Sequence, residues 1–178
     1  WTDLNFLMPE LVAELAYRKG PYDASEGDFA SAGALSLRYA DRLDRGIASL
    51  GFGQRGHRRA FIADSPQVGP GDGRLLYALE VMENDGPFVN PADYRKLNGV
   101  LRYGRGDQAN GFNVTAMAYD AKWNATDQIP ARAVASGALS RFGAVDPTDG
   151  GTAGRHSLSG EWRATTAAGT TRVNAYVV

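Results

Sequence analysis

The chain is 178 residues long, enough for one ordinary domain with a sizeable core. A formal net charge of −1 gives no bulk electrostatic case for nucleic acid or an anionic membrane surface, and the lack of cysteine excludes disulfides, thiolate metal sites and cysteine nucleophiles. With 22 Gly against 8 Pro, and with 8 Tyr, 7 Phe and 3 Trp, the composition suits a turn-rich β protein. No apolar run approaches the ~20 residues a transmembrane helix needs, which leaves membrane proteins that cross with strands open. Residues 1–10 hold Pro9 and acidic groups without a basic start, so they do not read as a signal peptide. The chain reads as a fragment of something longer.

In chain order, residues 1–10 read as a turn or a helix end that Pro9 stops. Residues 11–17 set Leu11, Ala13, Leu15 and Tyr17 against Val12, Glu14 and Ala16, a strand period. A Gly-, Ser-, Asp- and Pro-rich segment leads to a second strand over 34–39. Strands are then predicted at 46–52 and 58–65, a turn at 66–73 and a strand at 74–83, where Leu75, Tyr77, Leu79 and Val81 oppose Leu76, Ala78, Glu80 and Met82. A polar loop over 84–96 precedes a strand around Leu97, Leu101 and Tyr103, a turn at 106–111 and a strand over 112–123. The longest interruption, 124–154, contains a predicted short helix over 131–142. Beyond it, His156, Leu158, Gly160, Trp162 and Ala164 alternate with Arg155, Ser157, Ser159, Glu161 and Arg163, and a last hairpin turns at 165–169 into 171–178.

Two features go beyond an all-β reading. Short connections alternate with long ones, as in outer-membrane barrels, whose turns are short on one side and longer on the other. The polar strand faces also carry full charges, namely Glu80, Arg102, Glu161, Arg163 and Arg172. A soluble antiparallel sheet with one wet face shows the same alternation. The loop asymmetry and the ~9–11-residue crossing length favour the barrel.

The segment Tyr17-Arg18-Lys19-Gly20-Pro21-Tyr22, followed by Gly27-Asp28-Phe29, Ser31-Ala32-Gly33 and the strand at 34–39, resembles the end of the plug domain of TonB-dependent outer-membrane receptors. The resemblance implies an all-β fold: the C-terminal part of a plug over 1–45, then the first strands of a transmembrane antiparallel β-barrel over 46–178, incomplete here. It implies a bacterial outer-membrane receptor, not an enzyme, that takes up a scarce ligand with energy from TonB. A ferric siderophore or similar metal chelate is the first expectation, with cobalamin and oligosaccharides as further options. It further implies that TonB engages a part of the protein outside this chain, and that outer-membrane lipid surrounds the barrel. No cofactor, resident metal or nucleic-acid partner is expected. Family plugs hold barrel carboxylates with arginines, which makes Arg18 and Glu80 the candidate plug–barrel contact. The alternative is a soluble, loop-rich β domain that binds carbohydrate or a protein partner.

Motifs for catalysis are weak. Gly51-x-Gly53-x-x-Gly56 matches a dinucleotide fingerprint in letters, but no helix follows to hold a pyrophosphate, so it reads as a tight turn. His57 and His156 lack further ligands at metal-binding spacing, and Asp146 with Asp149 suits an Asx-type turn better than a calcium loop. The loop after the 112–123 strand mixes an aromatic with hydrogen-bonding side chains. Trp123, Asn124, Asp127, Gln128 and Arg132 are its candidate ligand-binding residues. Trp123 equally suits an aromatic girdle at a membrane interface.

Overall fold

The alternating segments become strands in the computed structural model, which describes residues 3–20, 30, 32–69, 71–107 and 109–178. The chain divides into two units, Leu7–Asp41 and the remainder, Trp1–Phe6 with Arg42–Val178.

The smaller unit is a hairpin. A 3-10 turn, Pro9–Leu11, enters β1 (Val12–Lys19), which pairs antiparallel with β2 (Gly33–Tyr39). The Ala40 amide closes the pairing onto the Leu11 carbonyl at 2.8 Å, and Arg38 reaches across to Glu14 at 3.0 Å. Gly33 is required where it stands: its φ is +155°, and a Cβ there would collide with the Arg18 carbonyl. Arg18 itself lies exposed on β1. The turn residues Pro21, Tyr22, Gly27, Asp28, Phe29 and Ser31, which carry much of the plug resemblance, lie outside the described residues.

The larger unit is one antiparallel sheet in sequence order: β3 (Ile47–Phe52), β4 (Arg58–Asp64), β5 (Arg74–Asn84), β6 (Tyr94–Gly106), β7 (Gly111–Asn124), β8 (Gly150–Thr166) and β9 (Gly169–Val177). It is open, with β3 and β9 as its edges, and does not close into a barrel. All six ladders keep an unbroken register, so each side chain's face follows from counting by twos.

The connections sort by end. Residues 53–57, 85–93 and 125–149 lie at one end, the loop end; 65–73, 107–110 and 167–168 lie at the other, the turn end. At 53–57 the glycine-rich motif is a tight turn. Arg55 and Gly56 carry φ of 60° and 71°, and the His57 amide donates to the Gln54 carbonyl at 3.3 Å.

Three boundaries differ from expectation. Tyr94, Arg95 and Lys96 belong to β6 rather than to a loop, because they pair with Asn84, Glu83 and Met82. The glycine cluster at Gly150 and Gly151 opens β8, with the Trp123 indole lying over Gly151 in place of the side chain it lacks. The helix in the long loop, α1, spans only Ala131–Ala135. Gly137, at φ +74°, ends it as its amide turns back to the Val134 carbonyl at 3.1 Å.

Candidate functional site

The two faces of the large sheet differ in chemistry. One face carries Leu50, Ile62, Leu79, Val81, Leu97, Leu101, Val114, Leu158, Trp162, Val173 and Val177. These side chains stand in the open: Leu50 is 74%, Leu101 52% and Trp162 48% exposed. Charged residues bracket this band on β6. Arg95 lies on the same face toward the loop end and Arg105 toward the turn end. Their ten-residue separation is about 33 Å along a strand, or about 25 Å in height at a tilt of about 40°. At the turn end the band finishes in aromatics: Phe112 pairs with Trp162, and Tyr103 lies 5.9 Å from Phe112 between ring centroids.

The opposite face carries the polar side chains, and its centre is buried, with Glu80, Lys96 and Asn98 set among the buried apolar residues Phe61, Leu76, Ala78 and Val100. Glu80, 2% exposed, receives Arg59 Nε at 2.7 Å on one oxygen and Lys96 Nζ at 2.9 Å on the other. The three residues come from β4, β5 and β6 and meet because the register stacks Arg59, Met82 and Lys96 in one row and Phe61, Glu80 and Asn98 in the next. Two cations on one carboxylate satisfy a buried charge that would otherwise be costly. Asn98, fully buried, and Tyr119 of β7 continue the second row. Nearer the turn end, Glu161 on this face takes Arg163 at 3.3 Å and Arg172 at 3.2 Å.

Residues 3–6 lie on this polar face. Tyr119 Oη donates to Asp3 Oδ2 at 2.8 Å, Asn98 Nδ2 donates to the Phe6 carbonyl at 2.7 Å, and Lys96 Nζ approaches the Asn5 carbonyl at 3.4 Å. The Arg155 guanidinium stands 4.9 Å from the Phe6 ring centroid. The Asn5 amide donates to Asp3 Oδ1 at 2.8 Å and is the main reason the Asp3 carboxyl titrates below the usual range, with Tyr119 and Lys96 adding to it.

At the loop end the three connections pack on one another. The Asp85 amide donates to the Arg55 carbonyl and the Val89 amide to the Phe142 carbonyl, and the Phe88 and Phe142 rings meet edge to face at 6.5 Å. Asn124 ties β7 to the neighbouring loop, its amide donating to the Ala92 carbonyl and its Nδ2 to the Pro91 carbonyl. Asp127 lies beside Asp149; desolvation, then the Asp146 and Asp127 carboxylates, raise the Asp149 carboxyl. Asp146 forms the expected Asx turn, accepting from the Thr148 amide and hydroxyl, and these hold its carboxyl low. Gln128 and Arg132 are exposed on this loop and do not converge with Trp123 through any contact described above.

Trp123 lies on the polar face. Counting from Tyr119 and Ala121 puts it there, half-buried over Gly151, in a row with Tyr94 and Asn84. The aromatic on the apolar face near a band edge is Trp162. Glu80 faces the polar side as expected, with Arg59 and Lys96 as its described ion-pair partners. Sequence reasoning did not reach Lys96, Asn98, Tyr119 or Arg59, because only a fixed register joins four strands into one cluster. His156 lies 3.4 Å from Asp120, both exposed, and among the described residues no group of three metal-ligating side chains forms. No family model, curated protein or solved structure matches the chain.

Proposed function

We propose that this chain is part of a TonB-dependent receptor of the bacterial outer membrane: the end of a plug, then seven strands of a barrel wall, serving active uptake of a scarce ligand such as a metal chelate. The observation that carries the reading is the inversion of the large sheet. Large apolar side chains of one face, such as Leu50, Leu101 and Trp162, stand open, while the buried residues of the other face include the charged Glu80 and Lys96 beside Phe61, Leu76 and Val100, an arrangement a sheet in water does not favour. Lipid against the apolar face and a polar lumen on the other side resolve the inversion, and the band between Arg95 and Arg105 has the height of a barrel's apolar belt. Tyr103, Phe112 and Trp162 then form a girdle at one interface. Lipid tolerates no open sheet edge, so closure requires strands in addition to these seven.

In this orientation the loop end faces outward, and Trp123 and Tyr94 stand at the mouth on the lumen side. The experiment is uptake. Cells relying on the complete receptor for a candidate chelate should lose growth or accumulation when TonB is removed, and Trp123→Ala should weaken ligand binding while leaving the barrel in the membrane. Uptake indifferent to TonB would remove the transport reading.

A further inference from the structure

Register places a charged row along the loop-end edge of the apolar face: Arg58, Glu83, Arg95, Lys122 and Thr152, one residue from each strand of β4 to β8. Arg95 and Lys122 stand directly opposite each other on β6 and β7. Like charges so paired repel, and an anion set between them removes the repulsion. The nearby carboxylates leave that place open. Glu83 lies on the far side of Arg95, opposite Arg58 in the register. Asp93 takes Arg95 Nε and Nη2 on a single oxygen, at 3.1 and 3.0 Å, where both side chains are open to solvent. Asp120, one row deeper, leans over Gly154 toward His156 Nε2 at 3.4 Å; a Cβ on Gly154 would lie 3.3 Å from Asp120 Oδ1. Lys122 is exposed, and no carboxylate among the described residues pairs with it. The row borders an open groove of about 670 Å³, floored by Val81 and Leu97, which are 43% and 51% exposed. Along β6 that floor runs on from Leu97 to Leu101, into the apolar band.

We propose that this groove is a binding site for a phosphate-bearing lipid of the outer leaflet. The phosphate sits between Lys122 and Arg95, with the Thr152 hydroxyl next to Lys122 as a further donor. One acyl chain runs over Leu97 and Val81 toward Leu101. The depth agrees, because Arg95 marks the loop-end edge of the band, where headgroups give way to acyl chains. A free phosphate ion would meet the two cations but gain nothing from the apolar floor, so the chain sets a lipid apart from inorganic phosphate. The lipid site rests on the lipid-facing reading of this side of the sheet.

The test is calorimetric titration of the purified protein in dodecyl maltoside with dioctanoyl phosphatidate, with dioctanoylglycerol and inorganic phosphate as controls. Phosphatidate should bind, and each control should bind more weakly by about tenfold or more. Lys122→Gln and Arg95→Gln should each weaken phosphatidate about tenfold, the equivalent of one charge-assisted hydrogen bond. Arg105→Gln, at the other edge of the band, should leave the affinity unchanged. All three side chains are exposed, so the variants are expected to fold. Should a variant misfold, the wild-type protein still decides: phosphatidate should slow acetylation of Lys122 by an amine-directed reagent, and dioctanoylglycerol should not. Either control binding as tightly as phosphatidate, equal losses at Arg105 and Lys122, or Lys122 acetylation indifferent to phosphatidate would each overturn the proposal. In a protein that needs detergent, those results remove this site alone. A protein that stays in solution without detergent removes the lipid-facing reading, and the site with it.

Discussion

Replacing Leu101 with arginine probes the environment of the apolar face. Leu101 lies near the middle of β6, with Tyr77 of β5 and Ala116 of β7 as its register partners, and is 52% exposed. In water a substitution at so open a position stays within about 0.5 kcal/mol. Against lipid at mid-depth an arginine costs about 2–4 kcal/mol, falling to about 0–1 near an interface. Leu97 supplies the internal control. It sits two residues from Arg95 on the same face, at the edge of the band. The protein, folded into phospholipid vesicles and unfolded with guanidinium, should therefore lose about 2–4 kcal/mol with Leu101→Arg and about 1 kcal/mol or less with Leu97→Arg. Equal effects at the two depths, or both within about 0.5 kcal/mol of wild type, would refute lipid contact.

Other consequences follow from the polar face. Glu80→Ala leaves Arg59 and Lys96 without their shared carboxylate and should destabilise the protein by about 3–5 kcal/mol in the same unfolding assay, with Glu80→Gln milder. At Gly151 a Cβ would lie 2.8 Å from the Trp123 ring, so Gly151→Ala should displace the indole and shift tryptophan emission; an unchanged spectrum would contradict the stacking. Asp3 is held below its ordinary value near 3.9, so its contacts contribute stability above that pH and lose it as pH falls through the lower folded value. Hydrogen exchange of the residue 3–6 amides, corrected for intrinsic rate, should accelerate as the pH falls below the ordinary carboxylate range, and Asp3→Asn should flatten that profile.

The strands were legible because alternation is local. Leu75, Tyr77, Leu79 and Val81 declare one face of β5 without any neighbour, and Leu158 with Trp162 do the same for β8. Glu80 could be assigned to the polar face by the same counting. Its partners could not, since Arg59 and Lys96 lie 21 and 16 positions away in sequence and meet it only through two hairpin registers. Trp123 was readable in principle: its parity matches Tyr119 and Ala121, four and two residues earlier on the same strand. Residues 3–6 gave no signal, because four residues held by a carboxylate, two carbonyls and one ring leave no side-chain period. Gly150 and Gly151 read as a loop by composition, yet the indole of Trp123 lets a strand begin there.

The measurement that tests the account most directly is the location and gel behaviour of the protein in a Gram-negative host. Inner and outer membranes would be separated, and the extracted band run on SDS gels with and without boiling. The account predicts an outer-membrane protein that needs detergent for extraction and migrates differently when unheated. A soluble product with no detergent requirement and no mobility shift would contradict it.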